Sequence, residues 1–176
     1  YEIFIPSIRK VRRFAEPARD DAWGGSDFTF GDVTLRKPKH ENHELLGKTK
    51  FAGCLNVMKD VKRNKYTQNA KIAADCSTDG KEVYKLKSTA NDANWWYDNR
   101  VSYIDAKTFA DYRTEYFKGS NKVKVIDRSW TSANLDDPRA SYWAYWYGTT
   151  LATGHETMAF IPSTITKVNH KYKKKN

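Results

Sequence analysis

What the chain lacks narrows it first. Only two of its 176 residues are cysteine, Cys54 and Cys76, and they form no CxxC pair. A thiolate zinc site therefore has no ligand set. The two thiols fit either one disulfide in an oxidising compartment or a pair of buried free cysteines. No apolar run approaches the ~20 residues that a membrane-crossing helix needs. No Asn-x-Ser/Thr sequon occurs, so glycosylation lends no support to secretion. The first residue is Tyr1 and not Met, which leaves a removed signal peptide or an absent leader as the two readings. The sequence also lacks GxSxG, a P-loop and GxGxxG. Its four histidines show no arrangement that general acid–base chemistry requires. His155-Glu156 reads as decoration of a turn after Gly154, and the expectation is a non-catalytic protein with no cofactor and no metal. His40-Glu41-Asn42-His43-Glu44 has two histidines three apart, but not in HExxH order, and beside Pro38 it reads as an exposed loop.

Rings and positive charge are what the chain has. Ser141-Tyr142-Trp143-Ala144-Tyr145-Trp146-Tyr147-Gly148 holds five Tyr or Trp in eight residues. On a strand, Tyr142, Ala144 and Trp146 would point one way and Trp143, Tyr145 and Tyr147 the other. With rings on both sides, this predicts a central strand covered on both faces. Lys and Arg number 31 against 21 Asp and Glu, a formal charge of +10. Such a balance favours nucleic acid, an acidic polysaccharide or an anionic membrane surface as partner. The cations concentrate in Arg9, Lys10, Arg12 and Arg13, and again in Lys171, Lys173, Lys174 and Lys175.

The rest of the chain reads as short elements. One domain over 1–176 is expected, with a basic segment 1–17 and a basic tail 169–176. Phe51, Cys54, Leu55, Met58 and Val61 recur every three or four residues and predict a helix over 50–63. Lys71–Cys76 and Glu82–Lys87 flank Asp79-Gly80, a strong hairpin signal. Tyr84 and Leu86 should face inward there. Val101–Ile104 reads as a strand. Asp105 can cap the next segment, where Phe109, Tyr112 and Tyr116 ahead of Gly119 predict a helix over 106–117. Lys122–Asp127 alternates as a strand, and Met158–Ile161 and Ile165–Val168 are late strands.

Ile8-Arg9-Lys10-Val11, Phe14 and Pro17, together with Val123–Trp130, resemble capsid proteins of small single-stranded-DNA viruses. That resemblance implies a jelly roll and a coat or packaging role. The arginine-rich arm of such proteins is absent. Val101, Asp105 and Phe109-Ala110 are similar to a lipocalin motif, which implies a ligand-binding barrel, although the Gly-x-Trp that opens such barrels is missing.

These readings converge on a mainly β domain with one or two short helices, arranged as a jelly-roll-like β-sandwich or a barrel. The leading expectation is a nucleic-acid coat or packaging protein. Arg9, Lys10, Arg12, Arg13, Lys171, Lys173, Lys174 and Lys175 would meet phosphates. Trp95, Trp96, Trp143 and Trp146 would supply stacking surfaces or line a pocket. The alternative is a secreted lipocalin-like or effector-type barrel with Cys54 bonded to Cys76, binding a small apolar ligand, a glycan or a host protein. No membrane span is expected, and a homo-oligomer is compatible with either reading. Virion and extracellular settings both fit.

Overall fold

The computed structural model describes residues 2–13, 15–59, 71–161 and 166–167. Strands dominate, as expected. They are β1 (Glu2–Ile5), β2 (Lys10–Arg13), β3 (Glu41–Lys50), β4 (Leu55–Lys59), β5 (Lys71–Asp75), β6 (Glu82–Ala90), β7 (Asn99–Asp105), β8 (Asp111–Lys118), β9 (Asn121–Ser132), β10 (Ser141–Thr150) and β11 (His155–Phe160). Among the described residues, helix is confined to single turns at Trp23–Gly25, Gly31–Leu35 and Pro38–His40.

Seven strands form one antiparallel sheet in the order β11-β10-β9-β8-β7-β6-β3. From β6 onward each strand pairs with its neighbour in sequence, so most of the sheet is a simple meander. Among the described strands it does not close into a barrel. β1–β2 and β4–β5 are separate two-stranded ribbons.

Each face of the sheet is covered over part of its area, by different parts of the chain. Directly paired residues share a face, so the register sorts the side chains. On the first face Val83, Tyr103 and Tyr145 meet Phe51, Leu55 and Val57 from the β4 region. β4 lies across β9 and β10. It is tied down where Asn56 N donates to Asp127 Oδ2 at 3.0 Å and Arg113 Nη2 donates to the Cys54 carbonyl at 2.9 Å. Cys54 and Cys76 form a disulfide that closes the base of this ribbon. On the second face Tyr116, Ile126 and Trp146 pack with Phe28, Tyr97 and Trp96. Phe28 sits so close to the β10 backbone that a Cβ on Gly148 would lie 2.8 Å from its ring.

Two predicted helices are strands. Over 50–63, Gly53 takes a φ of 94°, and Leu55 and Val57 are buried two apart, which is the strand period. The end of that stretch, beyond 59, lies outside the described residues. Over 106–117 the chain makes one turn and then enters β8. A spacing of four satisfies a helix and a strand alike, and β-branched Thr114 between Tyr112 and Tyr116 favours the strand. A bulge leaves Tyr112 without a direct partner, since Tyr103 faces Arg113 and Ile104 faces Asp111. Tyr112 thereby joins the first face while Thr114 and Tyr116 stay on the second. The Asp79-Gly80 turn joins strands of different sheets. Gly80 N donates to the Phe51 carbonyl, and Asp79 Oδ1 accepts from Gly53 N at 2.7 Å, so the turn is knitted to residues 51–53.

Candidate functional site

A chain of charged and polar side chains crosses the second face. Asp32, on the single turn Gly31–Leu35, is fully enclosed and receives Lys124 Nζ at 2.6 Å, Arg36 Nη2 at 2.7 Å and the Tyr116 hydroxyl at 2.5 Å. Glu41, at the start of β3, receives Arg100 through two bonds of 2.8 and 2.7 Å and the Tyr97 hydroxyl at 2.8 Å. Arg100 continues to Ser102 at 3.0 Å, Ser102 meets Thr114 at 3.1 Å, and Arg128 reaches Thr114 at 3.0 Å and Asp111 at 2.9 Å. Burial alone would raise the Asp32 carboxyl. Lys124 and Arg36 overcome it and hold the group well below its ordinary value. Glu41 is lowered in the same way, with burial opposed chiefly by Arg100. Four cations, Lys124, Arg36, Arg100 and Arg128, thus meet three carboxylates, Asp32, Glu41 and Asp111, and buried ion pairing of this kind adds little net stability.

This polar chain separates two unlike halves of the face. At the β9–β10–β11 end, Ile126, Trp146, Gly148 and Ala159 lie beneath Phe28 and its neighbours. At the β3–β6–β7 end the register brings Leu45 opposite Leu86 and Tyr84 opposite Ile104. Tyr84, Leu86 and Ile104 are only half-buried, and Leu45 is 60% exposed. Phe109 extends this apolar surface. Its ring stacks on Tyr84 with centroids 6.5 Å apart and planes 7° from parallel. It is 60% exposed and its φ is +58°. A bulky side chain held there is strained, and such strain concentrates where a residue serves a site. Clefts lie elsewhere too. One of about 370 Å³ lies beside Lys124 among Asp27, Thr29, Trp96 and Thr150. Another of about 500 Å³ is lined by Lys81, Glu82, Asp105, Lys107, Thr108 and Tyr112.

The ring candidates from the sequence are mostly engaged inside the protein. Trp96 stacks on Tyr116 with centroids 5.0 Å apart and lies under Lys124 Nζ at 4.6 Å. Trp146 carries the Arg128 guanidinium at 4.4 Å and meets Phe28 edge-on. Trp95 is covered by Arg19 at 4.4 Å. The expected alternation along β10 fails at one place. A bulge at Ala144 pairs Trp143 with Trp130 and Tyr145 with Ser129, which brings the Trp143 and Trp146 rings to 5.4 Å. His43 hydrogen-bonds Ser88 Oγ and the Pro38 carbonyl, and Lys37 N donates to His40 Nδ1. His155 Nδ1 lies 2.7 Å from Asp27, a carboxylate that also accepts from Thr150 and Thr157. Arg9, Lys10, Arg12 and Arg13 fall together on the β1–β2 ribbon. Lys171, Lys173, Lys174 and Lys175 lie outside the described residues. Sequence reasoning did not find the open surface of Leu45, Leu86, Ile104 and Phe109. The signals were the inward reading of Tyr84 and Leu86 and the lipocalin likeness that includes Phe109.

Comparison with known proteins places this sheet among solved folds. A family model described only as an uncharacterized protein matches residues 2–68. No curated protein matches the chain. Three solved structures share its fold. A domain described as an outer-membrane lipoprotein-sorting protein, from Vibrio parahaemolyticus, is 16% identical with a TM-score of 0.59, and the match covers 96% of this chain and 61% of that one. A DUF1329 family protein from Desulfovibrio piger is 15% identical with a TM-score of 0.58, covering 89% of this chain and 54% of that one. A LolA superfamily protein from Nitrosomonas europaea is 14% identical with a TM-score of 0.51, covering 94% of this chain and 66% of that one. The chain therefore spans between about half and two thirds of these proteins and shares their architecture.

The coat-protein expectation is overturned by these findings. The fold is that of the lipoprotein-sorting and LolA-superfamily structures and is not capsid-like. The positive charge is also partly spent within the molecule, because Arg36, Arg100, Arg113, Lys124 and Arg128 all pair with buried or half-buried carboxylates. Composition counts these cations as surface charge, and the tertiary structure does not. Among the described residues no helix is long and apolar enough to cross a membrane.

Proposed function

We propose that this chain is a binding domain for an apolar ligand, a lipid or a lipid-bearing polypeptide, received on the β3–β6–β7 half of the second face. The observation that carries the reading is the half-open apolar surface of Leu45, Tyr84, Leu86, Ile104 and Phe109, with its exposed and strained aromatic ring. The likeness to structures described as lipoprotein-sorting and LolA-superfamily proteins supports it. Acyl chains need contiguous apolar area and little directed hydrogen bonding, and this surface offers that. The Cys54–Cys76 disulfide supports a setting outside the reducing cytosol.

A titration with a fluorescent long-chain fatty acid, followed by displacement with unlabelled phospholipid, tests this. Saturable uptake is expected, weakened at least about tenfold by Leu45→Asp. That weakening corresponds to roughly 1.4 kcal/mol, just under what fully burying one leucine side chain contributes. Leu45 is exposed in the free protein, so the variant should melt with the wild type. Absence of uptake, or unchanged affinity in Leu45→Asp, would remove the ligand from this face.

A further inference from the structure

The β1–β2 ribbon is built differently from the rest of the molecule. Its register pairs Glu2 with Arg13, Ile3 with Arg12, Phe4 with Val11 and Ile5 with Lys10. Its tip, Pro6 to Arg9, is held by Ile8 N donating to the Ile5 carbonyl and Arg9 N to the Pro6 carbonyl. Among the described strands it adds to neither of the other sheets. One face therefore carries Phe4 and Val11 beside the Glu2–Arg13 pair, the other sets Ile3 and Ile5 opposite Arg12 and Lys10, and all of these but Ile5 are exposed. Ile3, Phe4, Ile8 and Val11 are each between 46% and 57% exposed. A free two-stranded ribbon is marginal in water, and four such side chains on one are an unmatched apolar surface. Of its four cations only Arg13 has an ion-pair partner among the described residues, Glu2 at 2.7 Å.

From this geometry we infer that the β1–β2 ribbon docks the protein onto an anionic lipid surface. Ile3, Phe4, Ile8 and Val11 enter the boundary between head groups and acyl chains, while Arg9, Lys10 and Arg12 meet lipid phosphates. The close mixture of apolar and cationic side chains is what distinguishes a bilayer from a dissolved polyanion. A nucleic-acid strand takes up cations and flat rings, whereas three of these four apolar side chains are aliphatic. A bilayer interface offers apolar depth and negative charge within a few ångströms of each other. The attraction is local, because it falls off within a Debye length. This inference is independent of the ligand proposed for the second face, which uses none of these residues.

Sedimentation with vesicles tests it. The protein is mixed with vesicles of phosphatidylethanolamine and phosphatidylglycerol, or of phosphatidylcholine alone, at low and high salt. Binding to the anionic vesicles is expected to be at least about tenfold tighter and to weaken with salt. Each cation removed should weaken it about fivefold, so Arg9→Gln with Lys10→Gln and Arg12→Gln should cost about a hundredfold. Ile8→Trp should show a blue-shifted emission on anionic vesicles that brominated lipid quenches. All these positions are exposed, so the melting temperature should not move. Equal binding to both vesicle types, no binding to either, or insensitivity to the triple substitution would overturn the inference. A concentration-dependent dimer that Phe4→Asp abolishes would also overturn it, by showing that a second copy covers the ribbon.

Discussion

At the scale of single residues, Phe109 and Asp105 show how a local signal can be right and its product different. Asp105 Oδ1 does accept the amides of Lys107 and Thr108, both at 2.8 Å. It caps one turn and not a helix, because Phe109 leaves right-handed space at φ +58° and Phe109 N closes back on the Asp105 carbonyl. The Tyr112 hydroxyl then locks the other carboxylate oxygen. Glycine at 109 would relieve the backbone strain and lose the Tyr84 stacking. These effects oppose each other, so Phe109→Gly should change stability by less than about 1 kcal/mol in chemical denaturation. Fatty-acid affinity should nevertheless fall about tenfold. A variant that binds as wild type would exclude Phe109 from the ligand surface. Phe109 was visible in the sequence as one member of a helical spacing and of the lipocalin-like motif. Nothing in the residue types told of its left-handed backbone.

At the scale of elements, the strands were legible wherever period and turn chemistry agreed. The β9 alternation and the aromatic β10 are of this kind. Two strands were misread because spacings of four are shared by both periods, and because bulges at Tyr112 and Ala144 turn rings to faces that simple alternation does not assign. Alternation also misled at β9, where Lys124 is 4% exposed and points inward to Asp32. A lysine in a strand signals the wet side until a carboxylate from a distant loop is known to meet it. The contact of Phe28 with β10 is a test of how tightly that loop is held. Gly148→Ala would set a methyl 2.8 Å from Phe28 Cε1 and 3.3 Å from Asp27 Cβ. A loss of about 1–3 kcal/mol is expected in urea unfolding. Phe28→Leu in the same chain should recover part of it. A neutral Gly148→Ala would mean that residues 27–29 can lift from the sheet without cost.

At the scale of the whole molecule, net charge was legible and its disposition was not. Asp27, Asp32, Glu41 and Asp105 are all held below their ordinary values, in each case because cations or hydrogen bonds outweigh the burial that alone would raise them. Their folded forms stay ionised where the unfolded chain takes up protons, so unfolding binds protons in acid. Their contribution is complete above the unfolded values near pH 4 and is lost as pH falls through the depressed folded values. The melting temperature should therefore drop steeply below about pH 4. Asp32→Asn should cost about 3–5 kcal/mol at pH 7, since Lys124 would be left buried without its partner. The gap to wild type should narrow as the pH falls below 4, and a gap constant from pH 7 to pH 2 would contradict the assignment. The rim of the sheet bears on how copies of the molecule meet. β3 ends the sheet among the described strands, and its outward row of amides and carbonyls includes exposed Leu45 and Leu46. The register breaks between Leu45 and Gly47, and Lys48 and Lys50 come after the break. A second molecule approaching this border would find the ladder kinked and its far half positively charged. Concentrated solutions should accordingly resist fibrillar stacking through β3, although the same strand carries an oily surface.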